Sequence, residues 1–591
     1  MASLSPPSVT FRSRKGDLQP RTAPRPPIMI PFNLHTVNRF LRREMCGGPW
    51  GVFILAIIVQ VVALDSGLEL YDEGIILTGS ERILQGEIPY RDFWTMYAPG
   101  MFYLVAGLFE LLGTSNLVVR AIGIVAKATI VTICFLMVRD QASRGLSLIT
   151  AGAILLFLIS VRHDAFPVFP SLALALGAIY LTARAFQSGR FFPLLPIAGG
   201  LTGLSVLFRH DLGAYTFGVV TLGVAAYVFL SPVASQSSGG YRASIPFKAL
   251  AAYAIGLSAV ILPPFVLLLV YVPISDLYFS LVHVPSSVYP DVRSLPFPGI
   301  SAVADGWPNP ATLAPLAVYL PWFVAAWIVV QEAYSRRSSQ PVGITARGFA
   351  SSSLLIGMLV LACLLFSIKG LVRVSPLHMS QAIVPAMVLI AIGLARLPRG
   401  ASGGRGVVGP VAAVAVLLVL PSMYKGAQFV AEGAHWWFDD PKQRLADCFD
   451  PELPRLHCVE ANEDYVSAAH YVRGQSSAAD VIYVGVENHE RIFVGAVAFY
   501  FMAERSSVTK WHELHPGVQT EASIQSEIVR EMMQGQLPRF VILDRRWEAI
   551  REPNLSAQAS GVQILDGFIE ERYVDAVRFG SVRVMEPTGS R

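Results

Sequence analysis

Apolar runs long enough to cross a bilayer recur from residue 50 to residue 422, and they leave little choice of architecture. Crossing a hydrocarbon core of roughly 30 Å as a helix takes about twenty apolar residues, because only a helix or a closed barrel satisfies its own backbone there. Twelve candidate segments occur, at 50–64, 100–113, 117–138, 145–161, 166–183, 192–208, 212–231, 248–273, 313–331, 350–368, 377–395 and 406–422. Hydrophobic residues make up 53% of the 591 and charged residues 15%, against roughly 25% charged in a soluble domain. The sequence therefore predicts a polytopic α-helical membrane protein.

Charge between the runs sets the orientation. RAFQSGR (184–190), YRASIPFK (241–248), YSRRSSQPVGITAR (334–347) and RLPRGASGGRG (396–406) carry Arg or Lys and no acid, so the positive-inside rule puts all four in the cytosol. VRHDAF (161–166), FRHDL (208–212), the loop 274–312, KGLVRVSPLH (369–378) and everything after residue 422 then fall outside. Residues 1–45, rich in Pro, Arg and Ser, read as a disordered basic tail in the cytosol. Residues 65–98 form the first external loop. Twelve crossings conflict with this scheme by one, so the expectation is eleven or thirteen, with the fault between 98 and 165, where 100–113 is short. A net charge of +4 is small for this length and gives no reason to expect nucleic-acid binding.

After residue 422 the apolar runs shrink to strand length. DVIYVGV (480–486), RFVILD (539–544) and VRFGSVRVME (577–586) read as strands, and SIQSEIVREMMQG (523–535) as an amphipathic helix closed by Gly535. The domain division is thus a tail at 1–45, a membrane domain at 46–422 and a C-terminal extracytoplasmic α/β domain at 423–591. Cys448 and Cys458 lie close together in that last part, either as a disulfide or as two free thiols.

The segment YDEGIILTGSERILQGEIPYRDFWTMYAPG (71–100) concentrates the chemistry. Asp72 and Glu73 stand at the membrane edge, where ionisable groups are often functional; Asp72 is equally suited to cap a helix over 73–85. The acidic pair, Gly86–Tyr90, Pro99–Gly100, Leu112–Gly113 and Arg120 together resemble the C-type polytopic membrane glycosyltransferases, which include the protein O-mannosyltransferases and the lipid A aminoarabinose transferases. The resemblance covers residues 50 to 420 in architecture, with its motifs in 71–120.

That resemblance implies an enzyme of a bacterial inner membrane that moves a sugar from a polyprenyl-phosphate donor, with inversion, to a glycan, lipid or protein acceptor on the outer face. It implies Asp72 as the catalytic base. Glu73 would orient it, help to hold a divalent cation, or do neither. Tyr90, Trp94 and Tyr97, with Phe93, are candidates for stacking on sugar or isoprenoid. A lipid phosphate calls for cations near the outer leaflet, and Arg162, Arg209, His210, Lys369, Arg373 and His378 qualify by position, RVSPLH (373–378) matching an Arg-x-x-x-x-His element of related bacterial transferases. Each Arg-His-Asp copy has a plainer reading too, a snorkelling arginine paired with its own aspartate.

In the loop 274–312, His283, Tyr289, Asp291 and Arg293 are the polar candidates, over an acceptor cleft or on a passive surface. In the C-terminal part, His489, His512 and His515 with Glu487, Glu490 and Glu513 raise the question of a metal, but HELH matches no standard zinc spacing. The string resembles the external domain of bacterial members of the same group, for which acceptor recognition is the natural role. The alternative function is a transporter or flippase for lipid-linked saccharide, which calls for charges at mid-membrane and repeat-related broken helices; no repeat is visible.

Overall fold

The computed structural model describes residues 48–230, 241–299, 310–337, 346–396, 405–439, 441–442, 448–449, 451, 453–535 and 537–589. The expected tail at 1–45 and most of the positive loops 334–347 and 396–406 lie outside the described residues.

The apolar runs form helices at Pro49–Val62, Asn116–Arg139, Arg144–Ser160, Val168–Ser188, Phe191–Phe208, His210–Leu230, Tyr241–Tyr271, Leu320–Arg337, Ala346–Leu365, Pro376–Ala395 and Arg405–Phe438. Their starts follow ordinary capping chemistry: the Ser115, Ser143 and Ser375 hydroxyls accept from the backbone N–H groups of Leu117, Leu146 and His378. Closest packing occurs between Phe191–Phe208 and Tyr241–Tyr271. A Cβ on Gly199 or Gly256 would lie 1.9 Å from the carbonyl oxygen of Tyr253 or Pro196, so small residues set this approach, as they do where apolar collapse cannot drive helices together. The opposite face of Tyr241–Tyr271, including Ile255, Leu262, Val266 and Val270, is exposed and suits lipid.

The twelfth run behaves differently. Gly100–Leu112 is a helix of 13 residues, but Met101, Phe102, Val105 and Phe109 are buried with Ile75 and Leu77 of the first loop and Phe499 and Phe501 of the C-terminal part. It packs against the helix Asp72–Leu84 and the C-terminal part, and its start abuts the bundle, where a Cβ on Gly100 would lie 2.6 Å from Leu207 O. Eight of the described helices are long and apolar enough to cross a membrane, and Pro49–Val62, Gly100–Leu112 and Arg144–Ser160 are shorter apolar helices.

The C-terminal part is a five-stranded mixed sheet in the order β2-β1-β3-β5-β4, with β1 Val481–Val486, β2 Ser506–Ser507, β3 Phe540–Asp544, β4 Tyr573–Phe579 and β5 Val582–Pro587. β1 runs parallel to β2 and β3, while β5 is antiparallel to β3 and β4. The expected strand at 577–586 is in fact the end of one strand and most of the next. Gly580 turns the hairpin at φ 50°, and the Asp464 carboxylate accepts from Ser581 N at 2.9 Å in space that a Cβ on Gly580 would fill. The expected helix appears as Ala522–Gln534, its Ile528 and Met532 buried.

This domain is clamped to the first loop. Ala498 N donates to Leu70 O at 2.8 Å, Thr78 Oγ1 to Val497 O at 3.1 Å, Trp94 N to Lys510 O at 2.9 Å and Glu460 N to Ser66 O at 2.7 Å. Gly74 is required here, since its Cβ would sit 2.3 Å from Ala498 N. Cys448 and Cys458 form a disulfide.

Candidate active site

Asp72 opens the helix Asp72–Leu84 but caps nothing: Tyr71 holds the cap position, with no side-chain capping bond. The Asp72 side chain instead lines a cavity of about 670 Å³ between the helix bundle and the C-terminal domain. Its Oδ1 accepts from the Tyr97 hydroxyl at 3.0 Å. Burial first, and then the nearby Asp72 and Glu513 charges, hold the Tyr97 phenol well above its ordinary value, so it remains a donor. The Tyr97 ring packs edge-on against Phe166, 6.4 Å between centroids, and Phe166 in turn meets His378 at 6.2 Å and the Arg209 guanidinium at 5.5 Å. One aromatic ring therefore separates a carboxylate pole from a cation pole.

At the cation pole the structure brings together Arg209, His210, Lys369, Arg373 and His378, all lining the cavity. They come from the ends of three different apolar helices and the loops beside them. The two arginines differ from Lys369. Arg209 holds its own Asp211 through Nε at 2.9 Å and Nη2 at 2.6 Å. Arg373 holds Glu552 of the C-terminal domain through Nη1 at 2.8 Å and Nη2 at 2.6 Å, and Arg293 lies 3.4 Å from the same carboxylate. Lys369 meets no carboxylate within 4 Å among the described residues; its ammonium sits 4.5 Å over the Tyr289 ring.

Other sequence candidates fall elsewhere. Glu73 turns away from the main cavity into a buried pair with Arg120, whose Nε and Nη2 donate to it at 2.7 and 2.9 Å. Tyr90 is buried at φ 70°, its hydroxyl donating to Tyr97 O at 2.8 Å. Trp94 is buried against Trp511, 5.6 Å between centroids. Neither lines the cavity, so of the three stacking candidates the structure brings only Tyr97 to it. Phe93 packs between Phe102 and His512.

The two Arg-His-Asp copies are not equivalent. Arg209 pairs with its own aspartate, whereas Arg162 pairs with Asp65 and lies 3.8 Å over Phe429, and Asp164 takes Lys127 at 2.7 Å. Arg162 does not line the cavity, but His163 does. Within the loop 274–312, the π-helical stretch Phe279–Val288 and the helix Tyr289–Arg293 form one wall of the cavity. Tyr289 and Arg293 face the cavity, while His283 and Asp291 are exposed.

Two cavity residues belong to the sequence string that suggested a metal. Glu513 and His515 line the cavity from the C-terminal domain. Burial, with Asp72 nearby, pushes the Glu513 carboxyl up to about 8 against the pull of the Thr95 and Tyr71 hydroxyls. Burial and the Arg293 charge push the His515 imidazole down to about 3. Their companions go elsewhere: His512 Nδ1 meets Arg82 Nη1 at 3.3 Å, and His489 is held between Tyr483 at 2.9 Å and Asp566 at 2.6 Å. Among the described residues no three His, Cys, Asp or Glu side chains converge as a metal site requires.

The architecture, a bundle of apolar helices with a polar cavity beneath a C-terminal α/β domain, is similar in fold to ArnT from Cupriavidus metallidurans in the apo state, at a TM-score of 0.52 and 13% identity over 91% of this chain and 97% of that one. The same protein bound to undecaprenyl phosphate gives 0.48 and 14% over 92% and 98%. The Archaeoglobus fulgidus oligosaccharyltransferase, in a complex with Zn and sulfate, gives 0.42 and 14% over 83% and 68%. No protein-family model matches the sequence, and no curated protein does.

Proposed function

We propose that this chain is a membrane glycosyltransferase that takes a sugar from a polyprenyl phosphate and passes it to a cell-envelope glycan, lipid or protein at the outer face of a bacterial inner membrane. The observation that carries the reading is the bipolar cavity. Asp72 stands at one pole with no cation paired to it among the described residues, and Lys369, Arg209, His210, Arg373 and His378 stand at the other. An acceptor hydroxyl is a poor nucleophile, so a carboxylate that takes its proton assists the attack. The acceptor oxygen bonds to the anomeric carbon from Asp72's side as the bond from that carbon to the phosphate oxygen breaks. The phosphate departs with the electron pair towards the cations, and the centre inverts. Lys369 is the cation best placed to take the phosphate, because both arginine forks already hold carboxylates.

An isoprenoid chain must remain in lipid during this step. Val282 and Ile368 line the cavity yet are 47% and 45% exposed, which supports an opening on the lipid side. The outer-face orientation is supported by the basic, acid-free segments between apolar runs, which the positive-inside rule assigns to the cytosol, and by the Cys448–Cys458 disulfide, since disulfides persist in oxidising compartments. On this reading Glu73 orients Asp72 through its pair with Arg120 and performs no chemistry.

The test is sugar transfer by the purified protein in lipid, with a panel of undecaprenyl-phosphate sugars and cell-envelope extract as acceptor, for wild type and Asp72→Asn. A loss of about 10²- to 10⁴-fold at unchanged melting temperature is expected. Full activity in the variant would remove Asp72 from the chemistry. Saccharide carrier crossing the membrane without transfer would favour a flippase.

A further inference from the structure

In open α/β sheets the loops beyond the carboxyl ends of parallel strands form the ligand crevice. Here the loop after β2, residues 508–521, leaves the carboxyl end of that strand and enters the membrane domain's cavity. It carries Glu513 and His515. Glu513 is 1% exposed and neither carboxyl oxygen makes a hydrogen bond of normal geometry. His515 is 2% exposed; its Nδ1 donates to Pro516 O at 2.7 Å, which leaves Nε2 as an acceptor with no partner. Three buried polar atoms from a three-residue stretch of the cavity wall thus lack a hydrogen-bond partner of normal geometry, with the Thr95 and Tyr71 hydroxyls near the Glu513 carboxyl, and buried polar groups are seldom left so unless a ligand or water supplies the partner.

Their placement narrows the ligand. Glu513 lies beside Asp72, close enough for the two charges to interact. His515 packs on Tyr289, 5.5 Å between ring centroids, and the Lys369 ammonium lies 4.5 Å from that same Tyr289 ring. The pair therefore spans the interval between the base and the phosphate-holding cation, which is the space the transferred sugar must occupy during displacement.

We propose that Glu513 and His515 read hydroxyl groups of the transferred sugar, making the C-terminal domain the sugar-selecting element of the site. This rests on the donor reading above. The Glu513 carboxyl, raised to about 8 by burial, carries a proton at neutral pH and both donates and accepts, while His515 Nε2 accepts. A site built around such groups rejects an analogue that lacks the matching hydroxyl.

The experiment measures kcat/KM for wild type, Glu513→Gln and His515→Gln on the preferred polyprenyl-phosphate sugar and on its singly deoxygenated analogues. Each variant is expected to lose roughly 10- to 100-fold on the full sugar. With the one analogue lacking its partner hydroxyl, already a slow donor for wild type, the same variant should lose less than about threefold. Equal losses on every donor, or no loss, would overturn the proposal while leaving the transferase reading intact. No transfer by wild type from any donor would overturn both. If Glu513→Gln fails to fold, as a melting curve would show, His515→Gln decides the outcome on the same panel.

Discussion

Glu73 stands next to Asp72 in sequence, and its buried pair gives a test that separates structure from chemistry. The Arg120 and Glu73 side chains are 4% and 5% exposed. Arg120 makes two charge-assisted bonds to Glu73, at 2.7 and 2.9 Å, and also donates to the carbonyls of Gly67, at 2.8 Å, and Asp65. Removing one partner of a buried pair leaves an uncompensated charge and costs about 3–5 kcal/mol. Glu73→Gln should fall at the lower end of that range, because the carbonyls still hold the guanidinium. Arg120→Met should cost more, since it strands the Glu73 carboxylate and also orphans two carbonyls, each at about 1–3 kcal/mol. The double variant should cost clearly less than the sum, with a coupling of at least about 2 kcal/mol. The assay is denaturant unfolding in mixed micelles on all four proteins, with transfer rates below each melting point. In Glu73→Gln, transfer should recover substantially once the protein is kept folded. A Glu73→Gln protein of wild-type stability with transfer abolished would refute the structural role and return Glu73 to the chemistry.

Lys369→Gln should lower kcat/KM for the donor by about 10- to 100-fold, the worth of a hydrogen bond to a charged group, and by more than Arg373→Lys does; equal effects would mean that Glu552 yields its arginines to the phosphate. Burial raises both Glu513 and Glu69 to about 8 from 4.5. The folded state then binds more protons than the unfolded state between those values, so stability should fall as pH rises from about 5 to 8. Glu513→Gln should flatten part of that fall, and unfolding curves at stepped pH check it. Replacing Cys448 and Cys458 together should cost roughly 2–3 kcal/mol, as expected for a loop of this length, and thiol labelling with and without reductant checks the bond itself.

The parts of the site that sequence makes legible are those written in one stretch or set by topology. Asp72 is marked by its motif, and Arg209, Lys369, Arg373 and His378 by their position at helix ends on one side. Pairing across the chain is not legible. Nothing in the order of residues says that Arg162 takes Asp65 while Arg209 keeps Asp211, or that Glu552 claims Arg373, because each choice depends on packing between distant segments. The aromatics of 90–97 mislead for the same reason: Tyr90 and Trp94 look like ligand platforms until Trp511 and the Tyr97 carbonyl cover them. Gly100–Leu112 has a bilayer-like composition, but Met101, Phe102, Val105 and Phe109 pack with Phe499 and Phe501 while Leu111 and Leu112 stay exposed, a division that periodicity cannot foresee. HELHPG is visible as a string, but its spacing does not say that its glutamate and second histidine reach the cavity while its first histidine does not.

The clamp between the first loop and the C-terminal domain also orders events in time. The segment holding Asp72 leaves the ribosome early, and Ile75, Leu77 and Phe102 remain uncovered until Phe499 and Phe501 arrive from the last part of the chain. The cavity has no far wall before Glu513 is made. A nascent or truncated chain therefore presents an adhesive apolar face beside Asp72, and its cavity lacks the wall that Glu513 and His515 supply.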